Sequence, residues 1–233
     1  MSQPPFTRAR STGAKAARQQ AILDSATRLA LARGIRAVTL TDIAEGVGMH
    51  KSTMLRYFET REEIFLRLAA TAWEEWAHEV ASRFERLGRP SEGVGAGDNR
   101  ADDALPVAAV LAETLASRPL FCDLLAHVPL NLERGVSLET AGEFKRAALD
   151  QARAAARAVA SVTGLSDEVS RDVVGTATSL AGAFWQMAAP GTRLRELYER
   201  EPDLAHAIVD VQPRLARILT ALIDGFVGRK TRD

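Results

Sequence analysis

Residues 39–63, TLTDIAEGVGMHKSTMLRYFETREE, constrain the fold of this chain more than any other stretch. Thr39 followed three residues later by Asp42 has the form of a capping box, so a helix is expected to begin there. Leu40, Ile43 and Ala44 give that helix one apolar face. Gly46-Val47-Gly48 ends it, because two glycines in three residues permit a sharp turn. A second helix fits Lys51 to Phe58, with Met54 and Phe58 inward and Ser52, Leu55 and Arg56 outward. Thr60 and Glu63 form another capping box, opening a long helix. Two short helices joined by a glycine turn, the second exposing hydroxyls and cations, make a helix-turn-helix. Lys15 to Arg33 reads as the helix that packs across this pair. Ile22, Ala26, Leu29 and Ala30 share one face, and Gly34 sits where a C-terminal cap belongs.

A helix that enters the major groove of DNA must present short donors and cations at its N-terminal end. Lys51, Ser52 and Thr53 stand there. The charge distribution agrees. The chain has 30 Lys/Arg and 30 Asp/Glu, but residues 1–61 hold ten Lys/Arg against four Asp/Glu. The acidic excess therefore lies in the rest of the chain, and a basic head on an acidic body suits nucleic-acid binding through one end. Residues 1–14, with two prolines, a glycine and Arg8 and Arg10, read as a flexible basic arm.

The block resembles the DNA-binding segment of the TetR family of transcriptional repressors. The matching positions are Thr39, Thr41, Asp42, Ile43, Ala44, Gly48, Lys51-Ser52-Thr53, Tyr57-Phe58 and Arg61-Glu62-Glu63. The resemblance implies that Lys51, Ser52, Thr53, Arg56 and Tyr57 contact bases or backbone. It also implies that Thr39 and Thr41 reach phosphates from the preceding helix. Arg61 stands where the family usually has a phosphate-binding lysine. Arg56 is the strongest candidate for direct base readout, since arginine makes a bidentate contact to guanine. Two positions depart from the pattern. Leu55 replaces the usual tyrosine, leaving an apolar contact to a thymine methyl in place of a hydroxyl. His50 replaces Ser or Thr at the cap of the reading helix and is a poorer oxygen cap. The DNA-binding domain is assigned to residues 15–60, and residues 61–233 to a helical body.

The body reads as a succession of helices, and the fold class is all-α. A long amphipathic helix carries Ile64, Leu68, Trp73, Trp76, Val80 and Phe84, followed by a glycine-rich loop at 88–100. Helices are expected over 101–117, from Pro119, from a Ser137 cap to Val162, and from Ser166 to a stop at Ala189-Pro190-Gly191. Val128 to Leu132 reads as an irregular connection, 194–200 and 204–211 as short helices, and 213–227 as the last helix. No 18-residue apolar run predicts a membrane span, and nothing after Arg8 and Arg10 reads as a secretory signal. A single cysteine suits a reducing cytoplasm, where the protein is expected to work on DNA. Four scattered histidines and one cysteine give no metal spacing, and no cofactor is expected.

The family resemblance implies that this body pairs two subunits and encloses a small-molecule effector of unknown identity. Leu180 and Phe184 in a weakly charged helix, with Leu215, Ile218, Leu219, Leu222 and Phe226 in the last, are the expected homodimer interface. Trp73, Trp76, Phe121, Phe144, Phe184 and Trp185 are the aromatic candidates for the pocket, with His127, Asn131 and Gln186 as polar ones. Each also has an ordinary core reading. Cys122 reads as a small buried hydrophobe or, alternatively, a redox sensor. A body that is a protein-interaction module without a ligand is a second reading. A helical enzyme fused to a DNA-binding head is a third, but no catalytic motif supports it.

Overall fold

Among the residues that the computed structural model describes, the apolar stripes of the sequence become ten α-helices. No strand occurs among the described residues, 6–87, 104–188 and 192–230. The head comprises α1 (Phe6–Arg33), α2 (Leu40–Gly46) and α3 (Lys51–Met54), and α4 (Arg61–Leu87) leads out of it. The body adds α5 (Ala104–Ala116), α6 (Pro119–His127), α7 (Leu138–Thr163), α8 (Asp167–Ala188), α9 (Arg193–Arg200) and α10 (Val211–Lys230). A 3-10 turn at Ile35–Ala37 joins α1 to α2, and a wide π turn at Val128–Leu132 follows α6.

Capping chemistry sets most boundaries. The Thr39 hydroxyl accepts from the Asp42 amide at 3.1 Å, and the Asp42 carboxylate accepts from the Thr39 amide at 2.7 Å, a complete capping box. Thr60 accepts the Glu63 amide at 3.1 Å, and Glu63 accepts the Glu59 amide. Ser137 caps α7, and Gly164 ends it at a φ of 64°.

Four expectations change. First, α1 begins at Phe6 rather than Lys15, so the backbone expected to be a free arm is helical from that residue. Alanine and arginine dominate it, and one glycine, costing about 1 kcal/mol, does not stop a helix this long. The side chains of Arg8 and Arg10 lie outside the described residues. Second, α3 ends at Met54 rather than Phe58. The Arg56 and Tyr57 amides bond three residues back, to Thr53 and Met54, and this tighter winding puts both Met54 and Phe58 inside. Third, 204–211 is not one helix: a 3-10 segment covers Pro202–Ala207, and α10 starts at Val211 with Pro213 in its first turn. Fourth, Val128–Leu132 keeps a helical course as a π turn. The expected loop at 88–100 and the stop at 189–191 lie outside the described residues.

Two apolar clusters hold the molecule together. One fills the body, where α10 packs on α5 and α8, and α4 packs on α7. The other begins as the head core of Ile22, Ile43, Met54 and Phe58. It does not stop at residue 60, because Ile64 and Phe65 of α4, Leu124 of α6, Leu132 of the π turn and Phe144 of α7 belong to it. Head and body therefore share buried surface. Behind this joint α6 is pressed against α8 at Gly182, where a Cβ would stand 2.9 Å from the Ala126 backbone nitrogen.

Candidate nucleic-acid interface and the cavities behind it

The turn between α2 and α3 passes through Gly48 at a φ of 65°, a conformation that side chains disfavour. It aims α3 so that one side anchors and the other faces solvent. Met54 and Phe58 are buried, whereas Thr41, His50, Lys51, Ser52, Thr53, Leu55 and Arg56 are exposed on one surface. Leu55 is 49% exposed, an apolar group with no fold-stabilising reason to be there. Tyr57 is half-buried against the head core. His50 occupies the N-cap without a side-chain cap bond, so the Lys51 and Ser52 amides keep their donors, while those of Thr53 and Met54 go to the His50 carbonyl. Thr39 is committed: its hydroxyl also donates to Asp42 at 2.7 Å. The Asp42 carboxyl is held below its usual range by these Thr39 bonds and by Arg33 at 3.5 Å.

Arg61 departs from the phosphate role that the resemblance implies. Its guanidinium turns inward, donating Nε–H to the Val38 carbonyl at 2.5 Å and bonding the Ile35 carbonyl and Glu62. It lies over the Phe65 ring, 4.8 Å from the centroid. A free lysine ammonium needs no such partners. The forked guanidinium meets two carbonyls at once and becomes a tie between α4 and the head.

The same residue is held from its other side. The Ile35 amide donates to Asp123 Oδ2 of α6 at 2.8 Å. Asp123 Oδ1 accepts from Gln186 Nε2 of α8 at 2.7 Å and faces His127 Nδ1 at 3.2 Å. Burial works against the Asp123 carboxylate, but the bonds from His127, Ile35 and Gln186 outweigh it and leave the pKa lowered. The Asp123 side chain in turn raises His127. This hub was missed in sequence. The available signal was one acid in the apolar run PLFCDLLAH, with a histidine four residues on.

Three of the aromatic candidates come together. Trp73, Phe121 and Phe144 line a cavity of about 280 Å3 between α4, α6 and α7, with Glu133 and Lys145 paired at 2.7 Å among its walls. Trp73 meets Phe121 edge-on, 5.3 Å between ring centroids. Trp76 packs behind them, its ring centroid 5.6 Å from that of Trp73 and 5.9 Å from that of Phe121, without lining the cavity, and the other candidates go elsewhere. Trp76 is fully buried, with its indole N–H donated to Thr114 at 3.0 Å. Phe184 is core, under the Arg214 guanidinium. His127 belongs to the Asp123 hub, and Asn131 is exposed on the π turn. Trp185 lines a separate cavity between head and body. Cys122 is inaccessible, and burial followed by the Asp123 charge pushes its thiol up to about 12. That suits a packing residue and argues against a thiolate sensor.

The expected dimer residues divide into two stripes. Leu215 and Leu219 are fully buried and Phe184 nearly so, which corrects their assignment to an interface. On a helix, positions offset by three from 215 and 219 fall on the neighbouring stripe. Ile218, Leu222 and Phe226 lie there and are only partly covered, as is Leu180 on α8, beside Met187 at 50% exposure.

A helix-turn-helix with an exposed cation-bearing second helix, mounted on a helical body with an aromatic cavity, defines a class of DNA-binding transcription regulators. Residues 22–68 match the family described as bacterial regulatory proteins, tetR family, and residues 70–230 match the tetracyclin repressor-like C-terminal domain. The chain belongs to the TetR family. Its fold is similar to that of a putative TetR-family regulator from Mesorhizobium loti (16% identity, 92% of this chain and 96% of that one, TM-score 0.50). It is also similar to the fatty acid degradation regulator FadR from Bacillus halodurans (13% identity, 88% and 98%, TM-score 0.52). A third similar structure is RolR in complex with resorcinol (17% identity, 90% and 96%, TM-score 0.50). No curated protein matches the chain in sequence. Among the described residues no helix is long and apolar enough to cross a membrane.

Proposed function

We infer that the chain is a homodimeric repressor that binds a two-fold related DNA operator and is released from it by a small molecule. The observation that carries this reading is the surface of α3. Lys51, Ser52, Thr53 and Arg56 are exposed together while Met54 and Phe58 anchor the same turn. In this reading Arg56 reads a base, Leu55 touches a thymine methyl, and Thr41, His50 and Lys51 follow phosphates. The half-covered stripe of Ile218, Leu222 and Phe226 with Leu180 supports a second copy as the partner, which would set two α3 segments about 34 Å apart.

The cavity beside Trp73 and Phe121 is the effector site in this reading. At about 280 Å3 it suits a small molecule with an aromatic or branched apolar body. Its two main walls lead to the head, because α4 carries Arg61 and α6 carries Asp123. A molecule that changes the spacing of those walls would shift the grip on Ile35 and so the placement of α2 and α3.

The test is footprinting and mobility shift on duplexes flanking the gene, at several salt concentrations, with sedimentation of the free protein. A protected near-palindrome, a steep loss of affinity with salt and a dimer are expected. A monomer, or no protection at any salt concentration, would overturn the reading.

A further inference from the structure

A second cavity, of about 600 Å3, lies between head and body, walled by the last turn of α1, the first turns of α6 and the end of α8. Leu31, Leu120 and the Trp185 indole form its apolar side. Its polar lining comes from Arg33, Asp123, Gln186 and Thr192 and from the end of α1, where two carbonyls lack their helical partners. In a continuing helix the Leu31 carbonyl would take the Ile35 amide, but that amide is bonded to Asp123. The Arg33 carbonyl would take the Ala37 amide, which goes to Gly34 at 3.3 Å instead. Both carbonyls end a 28-residue helix at its negative pole, without the amides that normally serve them.

Asp123 adds to this. Its Oδ1 meets Gln186 and His127, whereas Oδ2 takes the Ile35 amide, so an acceptor position on Oδ2 is unfilled. Gly34, at a φ of 76°, leaves that oxygen uncovered on one side; a Cβ there would stand 3.9 Å from it. The Arg33 guanidinium is turned to Asp42 at 3.5 Å.

We propose that this cavity binds a primary ammonium on an aromatic or branched apolar body. The three N–H groups go to the Leu31 and Arg33 carbonyls and Asp123 Oδ2, and the body lies against Trp185 and Leu120. Three acceptors facing an apolar wall match three donors on an apolar stem. An alcohol of the same shape offers one donor, and a carboxylate meets the like charge of Asp123, with the Arg33 guanidinium already turned to Asp42.

The experiment is calorimetric titration of the full-length protein with benzylamine, benzyl alcohol and benzoate, with Trp185→Ala and Asp123→Asn alongside. Neither binding nor its readout involves DNA, so the outcome is independent of the repressor reading. Benzylamine is expected to bind once per chain, with the alcohol and each variant weaker by about tenfold or more. Should Asp123→Asn fail to fold, Trp185→Ala and the ligand series decide alone. Equal binding of the alcohol, undiminished binding to Trp185→Ala, or loss of binding on Trp73→Phe instead would each overturn the assignment, as would no benzylamine binding.

Discussion

Replacing Arg61 by Met separates two roles for that side chain. If it ties α4 to the head, Arg61→Met lowers stability and leaves the salt dependence of DNA binding alone. The guanidinium serves two backbone carbonyls of the turn before α2 and covers Phe65. Ile35 keeps a second donor in the Val38 amide at 3.3 Å, whereas Val38 loses its charged one. Leaving one partly buried carbonyl short costs about 1–3 kcal/mol. The ring contact adds about 0.5–1 kcal/mol, and the adjacent Glu62 pair little. Methionine keeps the packing of the stem. The expected loss is about 1.5–4 kcal/mol, a large share of the roughly 5–15 kcal/mol that typical domains possess. Urea unfolding at fixed protein concentration measures it as a lower midpoint at unchanged slope. Mobility shift across a salt series, below the unfolding transition, gives the second readout. A variant within about 0.5 kcal/mol of the parent, whose salt slope falls by about one, would show that Arg61 binds phosphate and refute the tie.

Arg56→Ala is expected to leave the urea midpoint alone and to cost about 1–3 kcal/mol of operator affinity, with specificity relaxed at one base pair. Competition among single-base operator variants reads this out. Gly182→Val drives a branched side chain into the α6 backbone, where even a Cβ is at 2.9 Å, and should destabilise by about 1–3 kcal/mol in thermal unfolding. The Asp123–His127 pair predicts a pH dependence with two limbs. His127 is raised by Asp123, so its contribution is complete below its unfolded pKa of about 6.5 and is lost as pH rises through the folded value. Asp123 is lowered, so its contribution is present above about 3.9 and lost as pH falls through its folded value. The stability of the parent should therefore decline as pH rises from about 6.5 through the raised folded pKa of His127, and His127→Gln should flatten that decline. Unfolding midpoints across pH that fall equally in both proteins would count against the pair.

The head was legible because its signals are local. A capping box, a glycine turn and an i, i+4 apolar pair each act within five residues, and they place α2, the turn and the start of α3 where they are found. The end of α3 was not legible, since winding from Lys51 to Phe58 in α or tighter form buries the same two side chains. In the body, helix existence followed from periodicity. Which stripe of α10 faces inward did not, because Leu215 and Ile218 are equally apolar and only packing on α5 decides between them. The aromatic candidates divided for the same reason. Trp73 and Trp76 sit three residues apart, yet one meets Thr114 in the core and the other lines a cavity.

The least legible feature, the double hold on Ile35, also bears most on the proposed mechanism. Trp73 lies twelve residues beyond Arg61 on α4, about 18 Å along the helix axis, whereas Phe121 is only two residues from Asp123 on α6. A displacement at the cavity is thus delivered to Asp123 almost undiminished, while on α4 it must survive passage along three turns packed against α7. Because α4 runs directly into the head, it is the first candidate for the transmitting helix. The hydrogen bonds favour α6 as the stiffer link, with α4 and Arg61 as the fixed side against which the Ile35 turn moves. Gly182 fits that division: α6 rests on the α8 backbone there, which leaves it no room to move toward α8. An effector that acted through α4 alone would leave the Asp123–Ile35 bond unaltered, and exchange of the Ile35 amide with solvent, measured with and without ligand, separates the two routes.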